Sequence, residues 1–147
     1  MSNYVASPCT TQYTPTRPPI LAPHDVVPIV RELVPESEKR EHLIALYLDT
    51  RSVLMDVRVI SIGTLGACMV EPASVYRPAI EMGASAVIVA HNHPSGDPSP
   101  STQDVTVTQR LGAAGVILGI EFIDHIVVGA NLTFASIRHL VETQPKG

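Results

Sequence analysis

The sequence predicts an α/β (α+β) domain of three layers, and two observations carry that expectation. Apolar, β-branched runs of strand length lie close together in the first half of the chain, as antiparallel neighbours do. After them, helix-length segments alternate with single strands, so helices are expected to cover a sheet. At 147 residues, with 45% hydrophobic and 16% charged residues, the chain has room for one domain with one real core. Tryptophan is absent and aromatics are scarce, so Val, Ile, Leu and Ala must build that core.

The elements follow in order. Residues 1–23 are rich in proline and threonine and carry one charge, Arg17. They read as a flexible tail, without the basic start and apolar core of a secretory signal. Residues 24–34 read as a helix stopped by Pro35. Residues 43–48 (LIALYL) are a core strand, 49–52 a turn, 53–62 a second strand and 65–70 a third, after Gly63. Residues 72–82 suit a helix with Pro72 at its first position. AVIVA, residues 86–90, is a buried strand bounded by Gly83 and a polar loop. The loop 94–100 holds three prolines and a glycine and cannot be regular structure. A helix over 101–114 is expected to end near Gly115, followed by strands at 116–118 and 121–128 broken at Gly119. A last short helix is expected over 134–142. No internal repeat is visible.

The strand and helix on either side of that loop carry the chemistry. HNHPSGDPSPSTQD runs His91-Asn92-His93, then seven residues, Ser101, two residues, Asp104. In extended backbone, residues two apart point the same way, so His91 and His93 can project together with Asn92 opposite. Ser101 and Asp104 resemble a capping box with Asp in place of Glu, which puts Asp104 in the first helical turn, where the dipole favours a carboxylate. Two imidazoles and a carboxylate suit a catalytic zinc, which keeps a fourth position for water and lowers its pKa to about 7. A nearby carboxylate must then move the proton, and a hydroxyl such as Ser101 could donate to an oxyanion. Taken singly, each residue has a plainer reading: strand-end histidines, an N-cap serine, a first-turn acid. The joint spacing favours the metal site.

That spacing resembles the JAMM motif of the JAB/MPN metalloprotease family. The surrounding HNHPSGDPSPSTQDVTVTQRL and LGIEFIDHIVVG are similar to its RadC branch, and the resemblance runs from about residue 24 to about 140. It implies a single JAB/MPN-like domain over 24–147, with a curved mixed sheet flanked by helices. It implies Zn2+ on His91, His93 and Asp104, with the family's serine at Ser101. It also implies an upstream glutamate as general base. Glu41, fifty residues before His91 and just ahead of the 43–48 strand, is the choice, with Glu71 second and Glu38 in the charged stretch before it. The plainer reading of Glu41 is a solvated charge, and that of Glu71 a helix-start acid. RadC relatives usually read like HPREVF where this chain has Glu71 to Tyr76, which bears on substrate contacts there. Relatives often carry a helical domain ahead of the JAB domain; here the tail is expected in its place.

The other histidines are not assigned to the metal. His125 reads as a satisfied strand residue, the alternative being that it orients a neighbour; His24, His42 and His139 flank or sit on other elements. Two cysteines, Cys9 and Cys68, make no disulfide framework. A reduced, cytoplasmic setting is expected. No run is long enough to span a membrane.

The functional expectation is a zinc metallopeptidase that uses activated water on a peptide or isopeptide bond of a peptide or protein substrate. A catalytically silent MPN-like scaffold is one alternative, against which the intact ligand set argues. A DNA-repair or recombination factor, as the RadC label suggests, is another. A net charge of −4 with no basic block argues against nucleic acid. A zinc deaminase would pair His-x-Glu with Pro-Cys-x-x-Cys, which is missing here. Assembly is left open, a homodimer included.

Overall fold

The seven residues His42–Leu48, all buried, form β1, the strand on which the sheet is built. In this computed structural model, which describes residues 18–63 and 70–138, β1 pairs antiparallel with β2 (Leu54–Ile62) on one side and with β3 (Ala86–Asn92) on the other. β3 pairs parallel with β4 (Glu121–Val128), and β4 pairs antiparallel with the short β5 (Phe134–Ser136). The sheet is therefore mixed, in the order β2-β1-β3-β4-β5. The one parallel pair needs a crossover, and a helix, Thr102–Leu118, supplies it.

Burial on both faces explains why the central strands read as unbroken apolar runs. On one face Ile44, Leu46, Leu48, Ile88, Ala90 and Ile126 pack against α1 (Val26–Leu33), which presents Val26, Val27 and Val30. On the other face Ala45, Tyr47, Val87 and Val89 meet α2 (Pro72–Met82), through Val75, Tyr76 and Ala79, and α3 (Thr102–Leu118), through Val107 and Leu111. The two sets alternate along each strand, as the period of two requires. Three layers result, an α+β architecture as the sequence predicts.

Four expectations change. The 101–114 helix does not end at Gly115 but runs to Leu118, so the strand expected at 116–118 is its last turn. Gly115 is there for packing: a Cβ on it would lie 2.6 Å from the Ile120 carbonyl and 2.7 Å from the Tyr76 hydroxyl. The terminator is Gly119, whose φ of 71° is the left-handed cap that glycine allows. Residues 134–136, expected to open a helix, instead form β5, because Phe134, Ala135 and Ser136 complete the ladder of β4. Ile20, placed above in the tail, is packed in the core beside Val26, and its N–H donates to the Ser52 carbonyl. The strand expected at 65–70 falls almost wholly outside the described residues, as do positions 139–142 of the expected last helix. Among the described residues no helix is long and apolar enough to cross a membrane.

Candidate metal centre

β3 continues past the apolar run, so its last residues belong to the ladder: His91 pairs with Leu43 and Val127, and Asn92 with Val128. The N–H of His93 then donates to the Val128 carbonyl. This regular backbone points His91 and His93 to the α3 side, with their Nε2 atoms 2.9 Å apart. The loop after them folds back at Gly96, whose N–H donates to the His93 carbonyl and whose φ is 89°. Its carbonyl accepts from Ala130, which ties the loop to the far end of β4.

α3 starts beneath the histidines. Ser101 is its N-cap: its Oγ accepts from the Asp104 N–H, and Asp104 Oδ2 accepts from the Ser101 N–H. This is the capping box that the spacing predicts, and it aims the carboxylate back over the helix start. Asp104 Oδ1 lies 3.3 Å from His91 Nε2, and Oδ2 lies 3.3 Å from His93 Nε2. The Asp104 side chain is almost completely buried. Burial alone would push its carboxyl up, but His91 and His93 beside it, with the Ser101 N–H, hold it well below the ordinary carboxylate range. The same contact with Asp104 raises His93 against its desolvation, with help from the Asp97 carbonyl and the charge of Glu41.

The donor set has a definite chemistry. His93 Nδ1 lies 2.9 Å from the carbonyl oxygen of Asp97, which can only accept, so in the neutral ring the proton sits on Nδ1 and Nε2 carries a lone pair. Lone pairs of His93 and both Asp104 oxygens therefore converge with His91 on one point, an arrangement that calls for a cation. A tetrahedrally coordinated ion with bonds of about 2.0–2.1 Å has ligand–ligand edges of about 3.3 Å, close to the separations between these atoms. His91, His93 and Asp104 can thus hold a metal ion, as their clustering within 4.8 Å indicates.

The remaining candidates divide. Glu41 immediately precedes β1, and its charge bears on His93. Its neighbours are clamped by the residue between the two histidines: Asn92 Oδ1 accepts from the His42 N–H at 2.7 Å, and Asn92 Nδ2 donates to the Arg40 carbonyl at 3.0 Å. Asn92 thus holds the backbone on both sides of Glu41 against the strand that carries His91 and His93. Glu38 pairs with Arg40, and Glu71 is the exposed N-cap position of α2. A polar cavity of about 160 Å3 opens beside His93, with Arg31, Glu36, Glu38 and Ser95 among its walls. The larger apolar groove between α2 and α3 shares no lining residue with the centre.

Sequence reasoning ranked the orienting role of His125 second and passed over Thr108. His125, read as a satisfied strand residue, is fully buried with its Nε2 2.7 Å from His91 Nδ1. Its Nδ1 lies 2.8 Å from Thr108 Oγ1, whose partner is the Asp104 carbonyl at 2.8 Å. An imidazole inside an apolar strand is the signal that could have found them, because a buried ring must satisfy both nitrogens.

A mixed sheet that presents His-x-His on a strand end, facing an aspartate in the first turn of the next helix, defines an α+β domain with a site that could hold a metal ion. Residues 20–142 match the RadC-like JAB domain, and the chain belongs to that family. It is 46% identical over 113 residues to a UPF0758 protein of Shouchella clausii, covering 77% of this chain and 49% of that one. A UPF0758 protein of Syntrophomonas wolfei is 43% identical over 122 residues, 81% of this chain and 52% of the relative. One from Methanococcoides burtonii is 50% identical over 91 residues, 62% and 40% respectively. The chain spans about half the length of these relatives.

Proposed function

We propose that the protein is a zinc-dependent metallopeptidase of the JAMM type, which hydrolyses a peptide or isopeptide bond of a peptide or protein substrate. The observation that carries this reading is the convergence of His91 Nε2, His93 Nε2 and the Asp104 carboxylate on one buried point. These groups would hold zinc, which when bound acidifies water to a pKa of about 7 and polarises a carbonyl. Glu41 is the general base: it takes the proton of the attacking water and returns it to the leaving amine. The Ser101 hydroxyl uses a lone pair on the Asp104 N–H, so its own proton remains free to donate to the oxyanion. The cavity beside His93 gives one arm of a substrate room next to the reacting carbonyl. The scarcity of cysteine, two in the chain, supports a reduced, cytoplasmic setting.

Elemental analysis of the purified protein tests the centre. The expected result is one zinc per chain, lost in both His93→Ala and Asp104→Ala. No metal in the wild type after zinc addition sinks the hydrolase and leaves a silent scaffold. Glu41→Gln tests the base: zinc is retained, while hydrolysis in a peptide and isopeptide screen falls by about 100-fold or more. Glu71→Gln serves as the control and should leave the rate unchanged.

A further inference from the structure

The inner partner of the centre is a hydrogen-bonded chain with only one consistent placement of protons. Thr108 Oγ1 lies 2.8 Å from the Asp104 carbonyl oxygen and 2.8 Å from His125 Nδ1. The carbonyl can only accept, so the single hydroxyl proton of Thr108 must point to it. The Thr108 oxygen then offers a lone pair to His125, and the His125 proton has to be on Nδ1. His125 Nε2 is left as an acceptor, 2.7 Å from His91 Nδ1. His91 must therefore donate from Nδ1, and its lone pair is on Nε2, the atom that faces His93 and Asp104. Within the chain from Asp104 to His91 any other placement on neutral rings sets two lone pairs or two protons against each other across a contact of under 3 Å, while the facing Nε2 lone pairs of His91 and His93, 2.9 Å apart, are the pair a cation would bridge.

We propose that His125 and Thr108 are positioning residues that fix the tautomer and orientation of His91 as a metal ligand. The proposal rests on the metal-centre reading and extends it. The chain closes on itself: from His91 on β3, through His125 on β4 and Thr108 on α3, to the backbone of Asp104, which is a second ligand. Two ligands from different elements are thereby locked together by partners that touch no substrate. Burial of His125 inside the sheet keeps water from offering the ring a substitute partner. Groups that orient metal-bound histidines typically contribute 10–100-fold in metal affinity.

The test uses the full chain with 15N-labelled histidine and the near-isosteric Thr108→Val, which keeps the packing and removes the hydroxyl. Long-range 1H–15N correlation of the metal-free protein at mildly alkaline pH reads the tautomers directly. The wild type should show His91 and His125 both protonated on Nδ1. Thr108→Val should shift His125 away from that tautomer and weaken zinc binding by roughly 10-fold in chelator competition. Thr108→Ser should restore both readings. A wild-type His91 protonated on Nε2 overturns the proposal, as does a Thr108→Val protein with unchanged tautomers and unchanged zinc affinity. A wild type that has the Nδ1 tautomers but binds no zinc refutes the metal centre while leaving the proton chain in place.

Discussion

The two histidines of the candidate centre are held in opposite ways. His91 is anchored inward: its side chain is 0% exposed and its Nδ1 meets a buried imidazole that a helix side chain secures. His93 is anchored outward: its side chain is 14% exposed and its Nδ1 meets a loop carbonyl four residues away. The inner anchor depends on tertiary packing of β3, β4 and α3. The outer depends on the turn at Gly96 and on its approach to Gly129. A centre built this way has one histidine fixed by the core and one at the edge of the open cavity.

The largest difference should appear when each ring is removed. His91→Ala and His93→Ala should both abolish metal binding, but their effects on the metal-free fold should part. His91→Ala leaves a buried cavity and an orphaned His125, at a cost of about 2–4 kcal/mol. His93→Ala removes a partly exposed ring and costs under about 1 kcal/mol. Denaturant unfolding of the metal-free variants measures both. Equal losses would mean that the inner anchor is no more structural than the outer.

The loop offers a way to break the outer anchor alone. A Cβ on Gly129 would lie 2.4 Å from the Gly96 carbonyl and 2.9 Å from the Pro98 ring, neither of which can yield without moving the loop. Gly129→Ala should cost about 1–3 kcal/mol and draw the Asp97 carbonyl away from His93. Gly96→Ala meets only the Ala130 methyl, at 3.1 Å, but forces a side chain into positive φ, for about 1–2 kcal/mol. In both variants the NMR signature of the His91–His125 pair should persist while zinc affinity falls. Loss of that signature would show that the two anchors are one unit.

The same contrast explains what could be read from the chain. The outer anchor and the capping box lie within the fourteen residues from His91 to Asp104, where strand parity and loop chemistry act at short range. The fold class was legible for a like reason: alternating burial on two faces leaves long apolar runs. The inner anchor joins residues 34 and 17 positions apart, so an imidazole inside an apolar strand signals that His125 needs partners without showing which they are. Asn92 is another case: between two histidines it reads as a spacer, yet its amide clamps Arg40 and His42, about fifty residues back. Gly115 misled because a glycine needed for the close approach of Tyr76 looks, in sequence, like a helix end.

Proton linkage gives the smallest and sharpest test, because the anchors should titrate with opposite sign. His93 has a raised pKa when folded, owing first to Asp104. Its contribution to the metal-free fold is therefore full below the ordinary histidine pKa of about 6.5 and is lost as pH rises through the higher folded value. His125 is pushed far the other way by burial. It folds neutral, so its contribution is full above about 6.5 and declines as pH falls, when the unfolded chain takes up a proton that the folded chain refuses. Asp104, held low, contributes above the usual carboxylate range near 4 and is lost toward acid. Solvent screening at the partly exposed His93 keeps its share modest. Melting curves of the metal-free protein should thus fall on the alkaline side in the wild type and flatten there in His93→Asn. His125→Asn should instead remove the part of the acid-side decline that sets in below about pH 6.5. If His93→Asn left the alkaline limb unchanged, the outer anchor would not be the group that titrates there.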